Sequence, residues 1–269
     1  MREVRLALRE DGRDVTGRAF VPARARARGL VVARESAVLC GLAAARAAFR
    51  AVDPSLRVFF LSRDGRRVRP GRPVLRVVGR ARSILAAERV ALNFLQRLSG
   101  VATLTAEFVR RSRATIVDTR KTTPGLRALE KYAVRCGGGR NHRFGLSDAV
   151  LIKENHLPYV IGNPSSVIAE LRRRGLFVQV EAQSMEQLRR VLAWPVDAVL
   201  LDNFRPAALR RAVRLARRLR PRLLIEASGG VTLATVRAIS SAGVDRVSVG
   251  AITHSARAID FSLDLTPLP

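Results

Sequence analysis

The chain has 269 residues, 49 of them Lys or Arg against 22 Asp or Glu, for a formal net charge of +27. That length fills one large domain or two ordinary ones, the 48% hydrophobic content supports a buried core, and no apolar run is long enough to span a bilayer. Such a charge excess ordinarily marks a polyanion binder, but arginines run from residue 2 to residue 257 without a basic tail and aromatics make up only 5%, so neither nucleic acid nor a membrane is an expected partner.

In chain order, residues 1–105 read as an α/β domain. A helix is predicted near Val38 to Phe49 and strands at Leu30–Val32 and Leu75–Val78. Asp64-Gly65 gives a turn signal between Phe59-Phe-Leu and Arg67-Val. Glu88 to Leu98 is a strongly amphipathic helix that Gly100 is expected to stop.

From about residue 115 short β-prone runs alternate with helical segments, the pattern of βα units around a parallel sheet. The runs are Thr115–Thr119, Ala149–Ile152, Phe177–Val180, Ala198–Leu201, Leu223–Ile225 and Arg246–Val249. Six strands are fewer than a full eightfold barrel needs, so the expected architecture is an N-terminal α/β sandwich domain (1–105) plus an open, incomplete α/β barrel (106–255). The tail, 256–269, is expected to pack with the first domain. Between the strands, Asn163-Pro164 and Ser184-Met-Glu-Gln187 are helix starts. The arginine-dense run 205–222 keeps Leu209, Ala212, Val213, Ala216 and Leu219 on one stripe, which describes a solvated outer helix.

Each β-run ends in polar or glycine residues, and in α/β barrels those C-terminal ends form the active face. Only three of the basic residues are lysine, Lys121, Lys131 and Lys153, and all lie in one stretch. Retained lysine in an arginine-rich chain suggests a need for a compact, mobile ammonium. Arg120, Lys121, His142 and Arg143 suit a small ligand with more than one carboxylate, and Gly137–Gly139 gives the loop freedom to approach it. Glu181 and Asp202 close successive strands and suit ribose hydroxyls or a magnesium ion bridging phosphates. Ser228-Gly229-Gly230 and Val249-Gly250-Ala251 through His254 form two neighbouring glycine turns, a phosphate cradle whose following helix termini add positive potential. His156 has no partner at ligand spacing and reads as a structural loop residue. Cys40 and Cys136 lie far apart without metal-type spacing, which points to a reduced compartment. With no signal-like apolar run after Met1, a cytoplasmic protein is expected.

Taken in order, Glu88–Thr103, Asp118-Thr-Arg-Lys-Thr-Thr-Pro-Gly-Leu-Arg127, Glu130–Val134, Gly137-Gly-Gly-Arg-Asn-His-Arg143, Leu151-Ile-Lys-Glu-Asn-His156, Leu201-Asp-Asn203, Glu226-Ala-Ser-Gly-Gly230 and Val249–Ser255 closely resemble quinolinate phosphoribosyltransferase. The resemblance spans nearly the whole chain. It implies conversion of quinolinate and phosphoribosyl pyrophosphate, with magnesium, to nicotinate mononucleotide, pyrophosphate and carbon dioxide in NAD biosynthesis. It also implies a homodimer or larger assembly in which one subunit's N-terminal domain caps its neighbour's barrel. Carried over by motif, Thr119, Arg120, Lys121, His142 and Arg143 would hold quinolinate, joined by Arg89 of the partner subunit. Lys153, Glu181 and Asp202 would contact the ribosyl pyrophosphate and its metal, and Ser228, Gly229, Gly230, Val249, Gly250, Ala251 and His254 would receive the 5′-phosphate. The chain departs from the family at Gln179, where glutamate is usual. Strand alternation puts Gln179 on the face of Glu181, so a charge is missing from the barrel interior. The nearest rival is the related ModD group of molybdenum-transport operons, whose members lack the full Thr-Arg-Lys-Thr-Thr-Pro-Gly-Leu-Arg and Asn-His-Arg pattern.

Overall fold

In a computed structural model of the protein, which describes residues 1–156, 159 and 163–269, the chain divides into two units. The first comprises Met1–Ala106, Thr123–Gly138 and Ser255–Pro269, the second Glu107–Thr122 and Gly139–His254. Segment 123–138, read with the barrel in the sequence, therefore groups with the first unit.

The first unit begins with helices α1 (Arg2–Asp11) and α2 (Val15–Phe20) and continues through strands β1 (Arg26–Ala33) and β2 (Ala37–Val38). Helix α3 (Leu42–Val52), strands β3 (Arg57–Phe60), β4 (Arg67–Val68) and β5 (Pro73–Arg80), and helix α4 (Ala81–Arg111), whose residues from Glu107 on count with the second unit, follow. Its main sheet has the order β12-β1-β5-β3, where β12 is Phe261–Leu268. The tail pairs antiparallel with β1 from Arg26 opposite Leu268 to Ala33 opposite Phe261. Asp64-Gly65 does turn the chain, with Gly65 at φ 83°. The flanking strands part company afterwards, β3 pairing β5 and β4 pairing β2.

Helix α4 overturns one expectation. It runs 31 residues, straight through Gly100. A Cβ at Gly100 would strike the Arg257 carbonyl, so this glycine permits a close approach of the tail backbone and is no stop signal. Ile84, Ala87, Ala91, Leu95 and Leu98, spaced three or four apart, are all buried. Burying each Leu or Ile stabilises by about 1.5–3 kcal/mol, which outweighs the ~1 kcal/mol that one helical glycine costs.

All six β-prone runs of the second unit become strands, displaced by at most a few residues at their ends. They are β6 (Thr115–Val117), β7 (Ala149–Ile152), β8 (Phe177–Ala182), β9 (Ala198–Asp202), β10 (Leu224–Ser228) and β11 (Arg246–Ser248). They form one parallel sheet in the order β6-β11-β10-β9-β8-β7. No ladder joins β6 to β7 among the described residues, so the sheet stays open. Helices α6 (Pro164–Arg173), α7 (Met185–Leu192), α8 (Pro206–Leu219) and α9 (Val236–Ser240) alternate with the strands, while α5 (Arg127–Cys136) belongs to the first unit. Asn163 and Ser184 cap α6 and α7 as their sequence positions predict. Helix α8 buries Leu209, Ala212, Val213 and Ala216, but Leu219, its last residue, is exposed rather than part of the stripe.

Candidate active site

Parallel pairing fixes which strand ends meet. Ser228 stands opposite Asp202, and Ala182 opposite Leu201, so the ends of β8, β9 and β10 lie side by side. Alternation then turns Glu181, Asp202, Glu226 and Ser228 to one face. They open into a single cavity of about 660 Å³, within the range usual for small-ligand sites. Thr119, Arg120, Lys121, His142, Arg143, Lys153, Glu181, Asp202, Ser228, Gly229, Gly230, Val249, Gly250, Ala251 and His254 all line it. One predicted site residue, Arg89, does not: it is exposed on α4 of the first unit. Lys131, noted in the sequence only as one of the three lysines, is buried on α5.

The cationic side is built around Asp118, which is fully buried just past β6. Its carboxylate accepts from the Asn141 side chain at 2.5 Å and from the His142 backbone N–H at 2.9 Å. Arg140 bridges to Val117, so the loop runs briefly alongside β6 and delivers His142 and Arg143 to the cavity. Arg143 donates to the Ala149 carbonyl at 3.0 Å. Burial, then the neighbouring Arg120 guanidinium, hold Arg143 below its ordinary pKa. A bound anion beside them would favour both charged forms. The Lys121 backbone is tied at 3.0 Å to the Thr119 hydroxyl and at 2.7 Å to that of Thr253. Gly250 leaves room for the Lys121 stem, whose Cδ would lie 3.1 Å from an added Cβ.

The acidic side is not a simple pair of anions. Lys153 Nζ lies 3.2 Å from Glu181, yet burial, followed by a hydrogen bond with Glu154, pushes the Glu181 carboxyl up to about 7. The same bond lowers Glu154. Of the two, Glu181 is the partner that holds a proton longer as pH rises. Asp202 accepts from the Asn203 side chain at 2.7 Å. Among the described residues, no group of three or more His, Cys, Asp or Glu could hold a metal ion. Two carboxylates at the mouth still fit magnesium that arrives on a diphosphate, since this ion usually takes one or two protein carboxylates and keeps the rest as phosphate and water.

The glycine turns are structurally demanding. Gly229 and Gly230 have φ of 91° and 55°, and Asn203 at 58° is the single non-glycine residue with positive φ among those described. Strands β10 and β11 lead into α9 and α10 (Ala251–His254), helices of five and four residues. The macrodipole contribution expected from the sequence is therefore small. His156 behaves as a loop staple: its Nδ1 accepts from the Lys153 backbone at 2.9 Å.

Two family descriptions match the chain, "Quinolinate phosphoribosyl transferase, N-terminal domain" over residues 14–99 and the C-terminal domain over residues 101–264. The nicotinate-nucleotide pyrophosphorylase [carboxylating] of Mycobacterium leprae is 42% identical over 97% of this chain and 95% of its own. The chain belongs to the quinolinate phosphoribosyltransferase family. Solved structures of family members agree. The nicotinate-nucleotide pyrophosphorylase of Francisella tularensis superposes with a TM-score of 0.92 at 38% identity, covering 98% of this chain and 95% of that one. NadC of Streptococcus pyogenes gives 0.91 at 39% identity, covering 99% and 96%.

Glu154, Gln183, Asn203, Glu226 and Ser248 also line the cavity, without a role predicted from the sequence. Asp118 and Glu226 carry a signal, because each is an acid at the end of a β-run. Glu154 and Asn203 sit inside recognised motifs but hide behind their neighbours Lys153 and Asp202.

Proposed function

We propose that this family member transfers the phosphoribosyl group of phosphoribosyl pyrophosphate to the ring nitrogen of quinolinate, releasing pyrophosphate, and that loss of the adjacent carboxylate as carbon dioxide yields nicotinate mononucleotide. The observation that carries this reading is the joining of a cationic wall, a pair of acids and two glycine turns in one cavity. These are the groups that a pyridine dicarboxylate and a ribosyl diphosphate require together.

Arg120 and Arg143 bind carboxylates through paired N–H donors, and Lys121 adds a mobile charge. Held this way, the pyridine nitrogen faces the anomeric carbon, its lone pair forms the new C–N bond, and the C–O bond to pyrophosphate breaks with its electrons leaving on oxygen. Lys153 and turn amides offset the charge of the departing group. Glu181 and Asp202 would hold magnesium, which neutralises the diphosphate when bound. The pyridinium nitrogen then accepts electron density as the C–CO2 bond breaks, and the ring carbon takes a proton. Positioning and fixed charge carry the rate, without a protein nucleophile. Incubation with quinolinate, phosphoribosyl pyrophosphate and magnesium should give nicotinate mononucleotide and carbon dioxide in equal amounts. Turnover of nicotinate and not of quinolinate would overturn the assignment.

The working form we propose is a cytoplasmic homodimer or larger assembly whose sites are shared. The support is Arg89, a motif residue that is exposed and absent from the cavity lining. Mixing inactive Arg89→Ala with inactive Lys121→Ala subunits should restore activity through hybrid sites; none despite confirmed exchange contradicts sharing.

A further inference from the structure

A polar run leads from the cavity-lining His142 to Glu226 through Gln179, which does not line the cavity. Gln179 on β8 is 1% exposed and Glu226 on β10 is fully buried. The Gln179 side chain reaches across β9 and donates its Nε2 hydrogen to Glu226 Oε2 at 3.2 Å. Its Oε1 lies 3.1 Å from His142 Nε2. The other ring nitrogen, His142 Nδ1, sits 2.8 Å from the backbone N–H of Arg143.

Donor and acceptor roles follow from one fixed point. A backbone N–H only donates, so His142 Nδ1 carries a lone pair and the ring proton resides on Nε2. That proton needs an acceptor, which Gln179 Oε1 supplies, and the amide's NH2 is thereby turned to Glu226. The run is unidirectional: Arg143 N–H to His142, His142 to Gln179, Gln179 to Glu226. Of the three side chains in the run, only Glu226 is an acid, fully buried and within reach of the Gln179 amide. The layer therefore holds one carboxylate, with His142 Nε2 at 3.5 Å from its Oε1. A second carboxylate at residue 179 would put two anions in hydrogen-bond range at a dry site, and one extra proton would have to bind. An amide of the same length removes that requirement.

We propose that Gln179 is a positioning residue that holds His142 as the neutral Nε2–H tautomer, so that His142 Nδ1 anchors the backbone of the substrate-binding Arg143. His142 then serves the pocket through Arg143, and the wall's positive charge comes from Arg120, Lys121 and Arg143. Only the kinetic consequence rests on the phosphoribosyl-transfer reading; the tautomer is a property of the free protein.

The test uses full-length protein with 15N-labelled histidine and long-range proton–nitrogen correlation spectra at neutral pH, with His142 assigned by its loss in His142→Asn. Wild type should show a protonated Nε2 and a bare Nδ1. In Gln179→Leu the bare Nδ1 signature should disappear, through protonation or exchange between tautomers. KM for quinolinate should rise about tenfold, the upper range for one lost hydrogen bond, with KM for phosphoribosyl pyrophosphate changed less than about twofold. A wild-type His142 that is doubly protonated or carries its proton on Nδ1 overturns the proposal, and so does an unchanged signature in Gln179→Leu. The wild-type spectrum decides the matter if that variant fails to fold. Absent quinolinate turnover with the expected tautomer would sink the functional reading alone.

Discussion

Gly229 and Gly230 are adjacent, both lie in left-handed backbone, and both line the cavity, yet they should respond differently to alanine. At Gly230 a Cβ meets nothing within 4 Å, so Gly230→Ala carries only the conformational penalty, about 1–2 kcal/mol. At Gly229 the added Cβ would collide with the Asn203 amide and stand 2.8 Å from its backbone nitrogen. Overpacking of that kind costs a further ~1–3 kcal/mol, so Gly229→Ala should lose about 2–5 kcal/mol in all. The collision also has a direction. Asn203 is itself at positive φ and donates to Asp202 at 2.7 Å, so displacing it turns the carboxylate assigned to the ribosyl pyrophosphate. Urea denaturation of wild type and both variants measures the first effect, and KM for phosphoribosyl pyrophosphate against KM for quinolinate measures the second. Gly229→Ala should raise the former by about tenfold or more, equivalent to ~1.4 kcal/mol of lost binding, with little change in the latter. Equal stability losses in the two variants would refute the steric argument, and a quinolinate-specific defect would refute the assignment of this end of the cavity.

Arg143→Ala should lower activity by about a hundredfold or more while its melting temperature stays near wild type, because it removes a preorganised charge and little packing; near-normal turnover removes Arg143 from the site. Glu181 keeps its proton in the fold to about pH 7 where an ordinary glutamate releases it near 4.5, so its contribution to stability falls as pH rises across that window. Glu154→Gln replaces the acceptor that favours the protonated form, so its melting temperature should decline less than wild type's over the same window, and an identical decline contradicts the shared proton. Glu130 is fully buried and lies 2.6 Å from Arg97. Two bonds from Thr123, at 3.0 and 2.8 Å, remain in Arg97→Met, so the loss on urea denaturation should fall at the low end of the usual range for a broken buried pair, about 3 kcal/mol.

What the sequence made legible follows from what local pattern can encode. The six parallel strands were visible because short apolar runs bounded by polar endings need no knowledge of their partners, and the cavity followed because those endings are where barrels bind ligands. Gly100 looks like a stop in the sequence because a helix-stopping glycine and a close-contact glycine are alike until the Arg257 backbone is placed beside it. The Asp64-Gly65 turn was legible, the pairing was not, since register beyond a turn depends on β2 and β5 elsewhere in the chain. The polar floor was half visible. Alternation placed Gln179 on the inner face, but only the observed fold brings its amide to both His142 and Glu226. Cys40 and Cys136, remote in sequence, come close in the first unit, and their interaction is the main cause of a raised Cys40 and a lowered Cys136.

The arginine excess finds part of its explanation away from the cavity. Arg217 of α8 donates to the Leu223 carbonyl at 2.7 Å and to Asp245 at 2.6 Å. Arg220, just past α8, reaches the carbonyls of Trp194 and Val196 at 2.8 and 3.1 Å. The carbonyls belong to the connections that enter β9 and β10, and Asp245 to the one that enters β11, where the backbone has left its helix ladder and needs donors. A planar group with five N–H donors can satisfy several such carbonyls at once, which an ammonium on a flexible stem does less well. Arg217 and Arg220 thus stitch loops, while Lys121 and Lys153 line the cavity. A nucleic-acid surface would need those same guanidinium groups turned outward and uncommitted, and at Arg217 and Arg220 they are already engaged.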